Sequence, residues 1–277
     1  MRLGLLGHPV AHSLSPLIQR AALTASGLDG QYSLFDLPDV SGLDGHFAAL
    51  REGRCDGLNV TLPYKREAAL RCDEVRDDAR VLGVVNTLVP EQGRVVGHNT
   101  DVAGLVHAIQ RRWPALDAQV VTVLGAGGAA RAAVLAAVRL GAREVRVWNR
   151  TTGRAHELAE ALAALVKVKV IDDPVAACAG SAVIVQSGSG DMGFTVASAA
   201  WQSAVVRAER VLSEAAADAK VIDLVYQPRL TPWVEAALRG GREADDGLAM
   251  LVLQAWVAFE RWTGVRVPVD ALFAAVG

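Results

Sequence analysis

Val120-Val121-Thr122-Val123-Leu124-Gly125-Ala126-Gly127-Gly128-Ala129-Ala130 joins a five-residue run, apolar but for Thr122, to a G-x-G-x-x-A run, and an alanine-rich segment continues to Gly141. The apolar run predicts a buried strand and the alanines a helix, so the glycines fall on a strand-to-helix turn. In that setting Gly125 allows the tight turn, Gly127 lets a pyrophosphate approach the backbone, and Ala130 permits close helix-on-strand packing. The candidate phosphate cradle is Gly125, Ala126, Gly127, Gly128 and Ala129, with free N–H groups at the helix start and its dipole favouring an anion.

The same texture continues downstream. Val145 to Asn149, Val166 to Ile171, Ala182 to Gln186 and Lys220 to Val225 each predict a strand, with helical segments between them and Gly240-Gly241 closing the series. Strict alternation of strand and helix is the pattern of a doubly wound parallel sheet, here over residues 102–241. A site for a dinucleotide with a free ribose 2′-hydroxyl would place Asp or Glu after the second strand. This chain instead has Asn149-Arg150-Thr151 and then Arg154. Guanidinium groups clamp a 2′-phosphate and a carboxylate repels it, so the expected cofactor is NADP; Arg150 and Arg154 also fit solvated helix positions.

Upstream, residues 1–101 read as a second α/β unit. Leu3 to Gly7 predicts a short strand, and Ser15-Pro16 opens a helix to Gly27, with serine as N-cap and proline at the first helical position. Gln31 to Leu37 predicts a strand, Leu43 to Arg51 a helix with Leu43, Phe47 and Leu50 on one face, and Leu58 to Leu62 a third strand. Val84 to Val89 and Arg94 to His98 flank Glu91-Gln92-Gly93, a hairpin signal that makes this sheet mixed. The tail, 242–277, is helical, with Leu248, Leu251, Val252, Ala255 and Phe259 on one stripe interrupted by Gln254, and is expected to complete the first unit.

Composition excludes several classes. In 277 residues with 52% hydrophobic content the net charge is -2, without the basic excess a nucleic-acid binder needs. Cys55, Cys72 and Cys178 are odd in number and free of C-x-x-C spacing, which argues against a disulfide framework and for a reducing cytoplasm. The N-terminus predicts no signal peptide and no run is long enough for a membrane span. His8, His12, His46, His98, His107 and His156 lack paired-ligand spacing, so no metal is expected.

Polar groups gather at the ends of first-unit elements: Ser13 and Ser15, Asn59 and Thr61 followed by Lys65, Asn86 and Thr87 within an apolar strand, and Asn99-Thr100-Asp101 before a helix. Strand ends in an open sheet converge at one edge, so these groups could meet around a polyhydroxylated ligand. Taken singly, Ser15 fits an N-cap, Asp101 a helix cap, Asn86 a satisfied strand amide and Lys65 a solvated lysine.

Eight ordered blocks nevertheless resemble shikimate dehydrogenases, nearly end to end: Gly7 to Pro16, Gly57 to Lys65, Gly83 to Thr87, Gly97 to Asp101, the Gly125 fingerprint, Asn149-Arg150-Thr151, Asp223 to Pro228 and Gly247 to Gln254. The resemblance implies a Rossmann-type nucleotide domain facing a substrate domain across a cleft, and NADPH-dependent reduction of 3-dehydroshikimate to shikimate on the route to aromatic amino acids. It implies that Lys65 and Asp101 form the catalytic pair and that Ser13, Ser15 and Tyr226 hold the substrate carboxylate. It further implies that Asn59, Thr61, Asn86 and Gln254 line the substrate pocket, and that Gly247 and Met250 help bind the cofactor. A small-molecule substrate and a monomer or homodimer are expected, with no nucleic acid or membrane partner.

The chain departs from the family at Gln19-Arg20, where histidine and asparagine are usual. A second departure is Val185-Gln186-Ser187-Gly188-Ser189-Gly190-Asp191-Met192, where an Asn-x-Thr pattern is typical, and the helical stretch between Thr195 and Ala219 is longer than expected. The competing readings are a quinate/shikimate dehydrogenase using NAD or both cofactors, and a non-catalytic NADP-binding regulatory relative.

Overall fold

Two sheets organise the chain, each set by the local pattern of its strands. The computed structural model describes residues 1–117, 119–188, 190 and 195–277. It divides into two compact units, Met1–Gly104 with Leu251–Gly277, and Leu105–Met250.

Along the first unit run β1 (Arg2–Gly7), α1 (Ser15–Ser26), β2 (Gln31–Asp36), α2 (Gly42–Arg51), β3 (Gly57–Val60), α3 (Lys65–Arg71), β4 (Glu74–Val75), α4 (Asp77–Leu82), β5 (Thr87–Glu91), β6 (Arg94–His98) and the start of α5 (Asp101–Arg112). The sheet order is β2-β1-β3-β5-β6-β4. Its β1–β2, β1–β3 and β4–β6 pairs are parallel, whereas β3–β5 and β5–β6 are antiparallel. The hairpin closes through Gln92 and Gly93, both at positive φ (51° and 76°), the hand that matches strand twist. Leu43, Phe47 and Leu50 of α2 pack on Leu6, Leu58 and Leu88 from one side of the sheet. Each such fully buried side chain contributes about 1.5–3 kcal/mol relative to exposure. On the other side Leu3, Leu5, Val10 and Tyr32 cluster, as the period of two along β1 requires.

In the second unit lie β7 (Val120–Leu124), α6 (Gly128–Arg139), β8 (Glu144–Trp148), α7 (Thr152–Ala161), β9 (Val168–Val170), α8 (Pro174–Cys178), β10 (Val183–Gln186), α9 (Ala199–Leu212), β11 (Lys220–Asp223), α10 (Pro232–Arg239) and β12 (Ala244–Asp245). Every pair in this sheet is parallel and the order is β12-β11-β10-β7-β8-β9, doubly wound about β7. Helix α11 (Leu248–Thr263) and α12 (Val269–Ala274) end the chain. Among the described residues no helix is long and apolar enough to cross a membrane.

Several sequence expectations shift. The third strand stops at Val60, because the chain turns at Leu62-Pro63 and Leu62 is exposed. The strand expected from Val84 begins only at Thr87, because Gly83 ends α4 in the left-handed conformation and Val84 to Asn86 lead into the sheet. Ser15 is not an N-cap: Leu14 holds that position, and the Ser15 N–H instead donates to Ser13 Oγ at 3.2 Å. Gly240-Gly241 does not close the parallel sheet, since β12 adds beyond it on β11. Nothing in the apolar pattern pointed to α3, β4 and α4, which occupy the charged stretch from Lys65 to Leu82. Gln19, at the first departure from the family pattern, is fully buried and donates from Nε2 to the Ala255 carbonyl at 3.0 Å, joining α1 to α11.

Candidate active site

The centre of the first sheet places amides and hydroxyls side by side. Asn59 on β3 is the register partner of Thr87 on β5, and Thr87 is the partner of His98 on β6, so Asn86 and Asn99 fall just outside paired strand ends. Their side chains are buried and must find partners within the protein. Asn59 Nδ2 donates to the Asn86 carbonyl at 3.1 Å and to Thr87 Oγ1 at 3.2 Å. Asn86 Oδ1 accepts from the Thr100 N–H at 2.8 Å and from the Thr87 hydroxyl at 3.0 Å. Its Nδ2 donates to Asp101 Oδ1 at 2.8 Å, with Gln254 Oε1 at 3.5 Å.

Asp101 begins α5, yet Asn99 does the capping: Asn99 Oδ1 accepts from the N–H groups of Asp101 at 3.0 Å and Val102 at 3.4 Å. The Asp101 carboxylate is therefore available for side chains. Oδ1 takes Asn86, and Oδ2 accepts from Lys65 Nζ at 2.5 Å. Lys65 opens α3, where its own helix dipole disfavours a cation, and the Asp101 charge offsets that. The pair is 17% and 8% exposed, so it is largely desolvated but still reachable from solvent on the lysine side. A carboxylate alone at that burial would be costly, and one bonded to an amide and an ammonium is satisfied.

The other first-unit groups expected from the sequence have their own partners. Ser13 Oγ lies 3.1 Å from Ser15 Oγ. Thr61 is half-buried, its N–H donating to the Leu6 carbonyl at 2.8 Å while its methyl packs where Gly7 has no side chain. Gln254 on α11 also accepts from the Thr100 hydroxyl at 3.3 Å. Gly104 makes room for it, since a Cβ there would stand 2.7 Å from the Gln254 Cβ. Neither Gly104 nor Tyr32 was expected from the sequence; a glycine inside a helical stretch and a tyrosine on a half-apolar strand were the available signals. His98, immediately before the site, is held neutral: burial and then the Arg261 guanidinium lower its pKa, against the opposing pull of Asp77.

The second unit carries the nucleotide-type residues. Gly125 adopts φ +125°, and a side chain there would run into Ser187 Oγ. Gly127 is extended and caps α6, and a Cβ built on it would meet no atom within 4 Å. Open space above a helix N-terminus of twelve residues fits a dinucleotide pyrophosphate approaching the backbone of Ala126, Gly128 and Ala129. Ala130 is fully buried, as close packing requires. Beyond β8, Asn149 Nδ2 donates to the Thr151 carbonyl at 2.9 Å and Arg150 and Arg154 are exposed, with no side-chain partner among the described residues. Tyr226 follows β11 in this unit and is half-buried. Gly247 lies so close to the Leu224 carbonyl that a side chain is excluded, and Met250 is buried. At the second family departure, Ser187 donates to the Leu124 carbonyl at 2.9 Å and Gln186 Oε1 accepts from the Gly188 N–H at 3.1 Å. Ser189, Asp191 and Met192 lie outside the described residues. No cluster of three metal-ligating side chains occurs among the described residues.

A doubly wound unit with a phosphate-binding turn, and a mixed-sheet unit with a buried ammonium–carboxylate pair, define a dinucleotide-dependent oxidoreductase. Comparison with known proteins narrows the class. Residues 5–88 match the family model of the shikimate dehydrogenase substrate binding domain, 107–217 that of shikimate / quinate 5-dehydrogenase, and 247–276 that of the shikimate 5'-dehydrogenase C-terminal domain. The shikimate dehydrogenase (NADP(+)) of Exiguobacterium sp. is 39% identical over 96% of this chain and 94% of that protein. The crystal structure of the Thermus thermophilus shikimate 5-dehydrogenase in complex with NADP(H) and shikimate has a TM-score of 0.86 at 34% identity, over 99% of this chain and 98% of that one. Quinate dehydrogenase from Corynebacterium glutamicum, in complex with NAD, has a TM-score of 0.85 at 29% identity over 100% and 98% of the two chains. The chain belongs to the shikimate dehydrogenase family.

Proposed function

We propose that this chain is an NADP-dependent shikimate dehydrogenase that reversibly reduces 3-dehydroshikimate to shikimate for aromatic amino-acid biosynthesis. The observation that carries the reading is the 2.5 Å bond between Lys65 and Asp101 within a network of pocket amides, in a chain whose other unit bears a dinucleotide fingerprint. When bound, the reduced nicotinamide supplies the hydride. Lys65 stabilises the oxygen that gains charge as the ketone is reduced and gives it a proton; in reverse it accepts one. Asp101 orients the ammonium and is itself held by Asn86, so the proton donor is fixed before substrate arrives.

Ser13, Ser15 and Tyr226 take the substrate carboxylate, and Asn59, Thr61, Asn86 and Gln254 take its hydroxyls. In this reading the first unit is the substrate-binding and catalytic domain and the second the NADP domain. Gly125 to Ala129 cradle the pyrophosphate, with Asn149, Arg150, Thr151 and Arg154 about the adenosine phosphate and Gly247 and Met250 toward the nicotinamide end. Arg150 and Arg154, exposed and without side-chain partners among the described residues, can clamp a 2′-phosphate. The protein works in the cytoplasm as a monomer or homodimer. Support for a reducing compartment comes from three free cysteines, two of them, Cys72 and Cys178, with thiols that burial pushes up to about 12.

The likeness to a quinate dehydrogenase favours one second reading, quinate oxidation with NAD; the absence of an acidic residue after β8 weighs against it. Initial rates with shikimate and quinate, each with NADP and NAD, separate the two. Shikimate with NADP is expected to be fastest. Faster turnover with quinate and NAD would establish the second reading, and no turnover of either acid would overturn both.

A further inference from the structure

Tyr32 sits on β2, packed with Leu3, Leu5 and Val10, and is only 7% exposed. Its ring belongs to the core and its hydroxyl does not. That hydroxyl donates to Asn59 Oδ1 at 2.8 Å. Burial raises the pKa of the phenol, so it stays protonated and remains a donor.

The donors form one directed series. The Tyr32 hydroxyl donates to Asn59 Oδ1. The Asn59 amide then donates to the Asn86 carbonyl and Thr87, Thr87 donates to Asn86 Oδ1, and Asn86 donates to Asp101. Since Asn59 Nδ2 already has two acceptors, only a donor such as Tyr32 can satisfy its oxygen without turning the amide over.

We infer that Tyr32 is a positioning residue, whose phenol fixes the orientation of the Asn59 amide and thereby sets affinity for the substrate that this amide binds. The inference rests on the shikimate dehydrogenase reading and adds to it a residue that does not touch the reacting atoms. Without the hydroxyl, Asn59 Oδ1 is a buried acceptor with no donor, and the amide gains by rotating away from its substrate-binding orientation.

Tyr32→Phe keeps the ring and removes the hydroxyl. The KM for shikimate should rise about tenfold, the loss typical of one unsatisfied buried group. Turnover at saturation and the KM for NADP should stay within about twofold, because Lys65 and the nucleotide turn are untouched. In an Asn59→Ala background the same change should add less than about twofold, because the group through which Tyr32 acts is gone. An unchanged shikimate KM, equal losses in all three parameters, or the same tenfold effect in both backgrounds would overturn the inference. Should Tyr32→Phe not fold, 3-fluorotyrosine placed at position 32 alone provides a 19F signal in an otherwise unaltered chain. Shikimate added without NADP should shift that signal, and an unmoved resonance at saturating shikimate would overturn the role. Wild-type turnover is measured first: an inactive wild type overturns the functional reading and this inference with it, whereas an active enzyme with an indifferent Tyr32→Phe overturns this inference alone.

Discussion

Asn99 and Asp101 divide between them two tasks that a single residue often has to combine. With Asn99 capping α5, the neighbouring carboxylate is released to hold Lys65 and Asn86. That division was only half legible in the sequence: Asn-Thr-Asp before a helix announces a cap, and which of the polar residues caps depends on backbone angles that spacing does not reveal. Ser15 poses the same ambiguity, and its hydroxyl pairs with that of Ser13 instead of the helix N–H groups. Tyr32 was invisible because strand periodicity assigns it to the core, correctly for the ring and not for the oxygen. Arg150 is the residue whose role can be exchanged most directly. Replacing it with Asp substitutes repulsion for attraction at a 2′-phosphate, so Arg150→Asp should raise the KM for NADP by about tenfold or more and leave the KM for NAD unchanged or lower. Steady-state kinetics with each cofactor checks this, and an unaltered NADP KM would remove the 2′-phosphate argument.

The elements best foreseen are those in which one pattern runs without interruption. Strand β7 spans Val120–Leu124, as its near-continuous apolar run predicts, and α2 buries the three residues of its expected face. Strands such as β4 and β12 escape notice because two residues carry no period, and they exist only through pairing with β6 and β11. The turn between β7 and α6 shows two glycines required for different reasons. At Gly125 a side chain meets positive φ and the Ser187 hydroxyl, so the requirement is conformational. At Gly127 an added methyl meets nothing in the protein, so any penalty must come from the ligand. Gly127→Ala should therefore unfold within about 1 kcal/mol of wild type, as a compatible surface change does, while weakening NADP binding about tenfold or more. Urea denaturation and calorimetric titration read the two quantities separately. Equal NADP affinity in a folded variant would mean that no phosphate approaches this backbone.

Across the whole molecule, the two signatures fall in different units: the Lys65–Asp101 pair in the mixed-sheet unit and the glycine turn in the parallel-sheet one. The chain returns after the second unit to complete the first, and specific contacts fasten that return. Gln19 holds Ala255, the Trp262 indole donates to the Leu88 carbonyl at 3.0 Å, and Gly57 leaves room for the Trp262 ring. This placement brings Gln254 to Asn86 and Thr100, residues more than 150 positions away in sequence. The amphipathic stripe announces that the tail packs, but no local pattern reveals which carbonyl Gln19 reaches. In the proposed function, these contacts serve a lysine held beside a carboxylate, where a ketone would be reduced. Turnover of 3-dehydroshikimate by Lys65→Ala, followed through the absorbance of NADPH with substrate binding measured alongside, tests that claim most directly. A fall of at least ~100-fold in kcat with substrate affinity changed far less is the predicted result, and near-normal turnover would contradict the account.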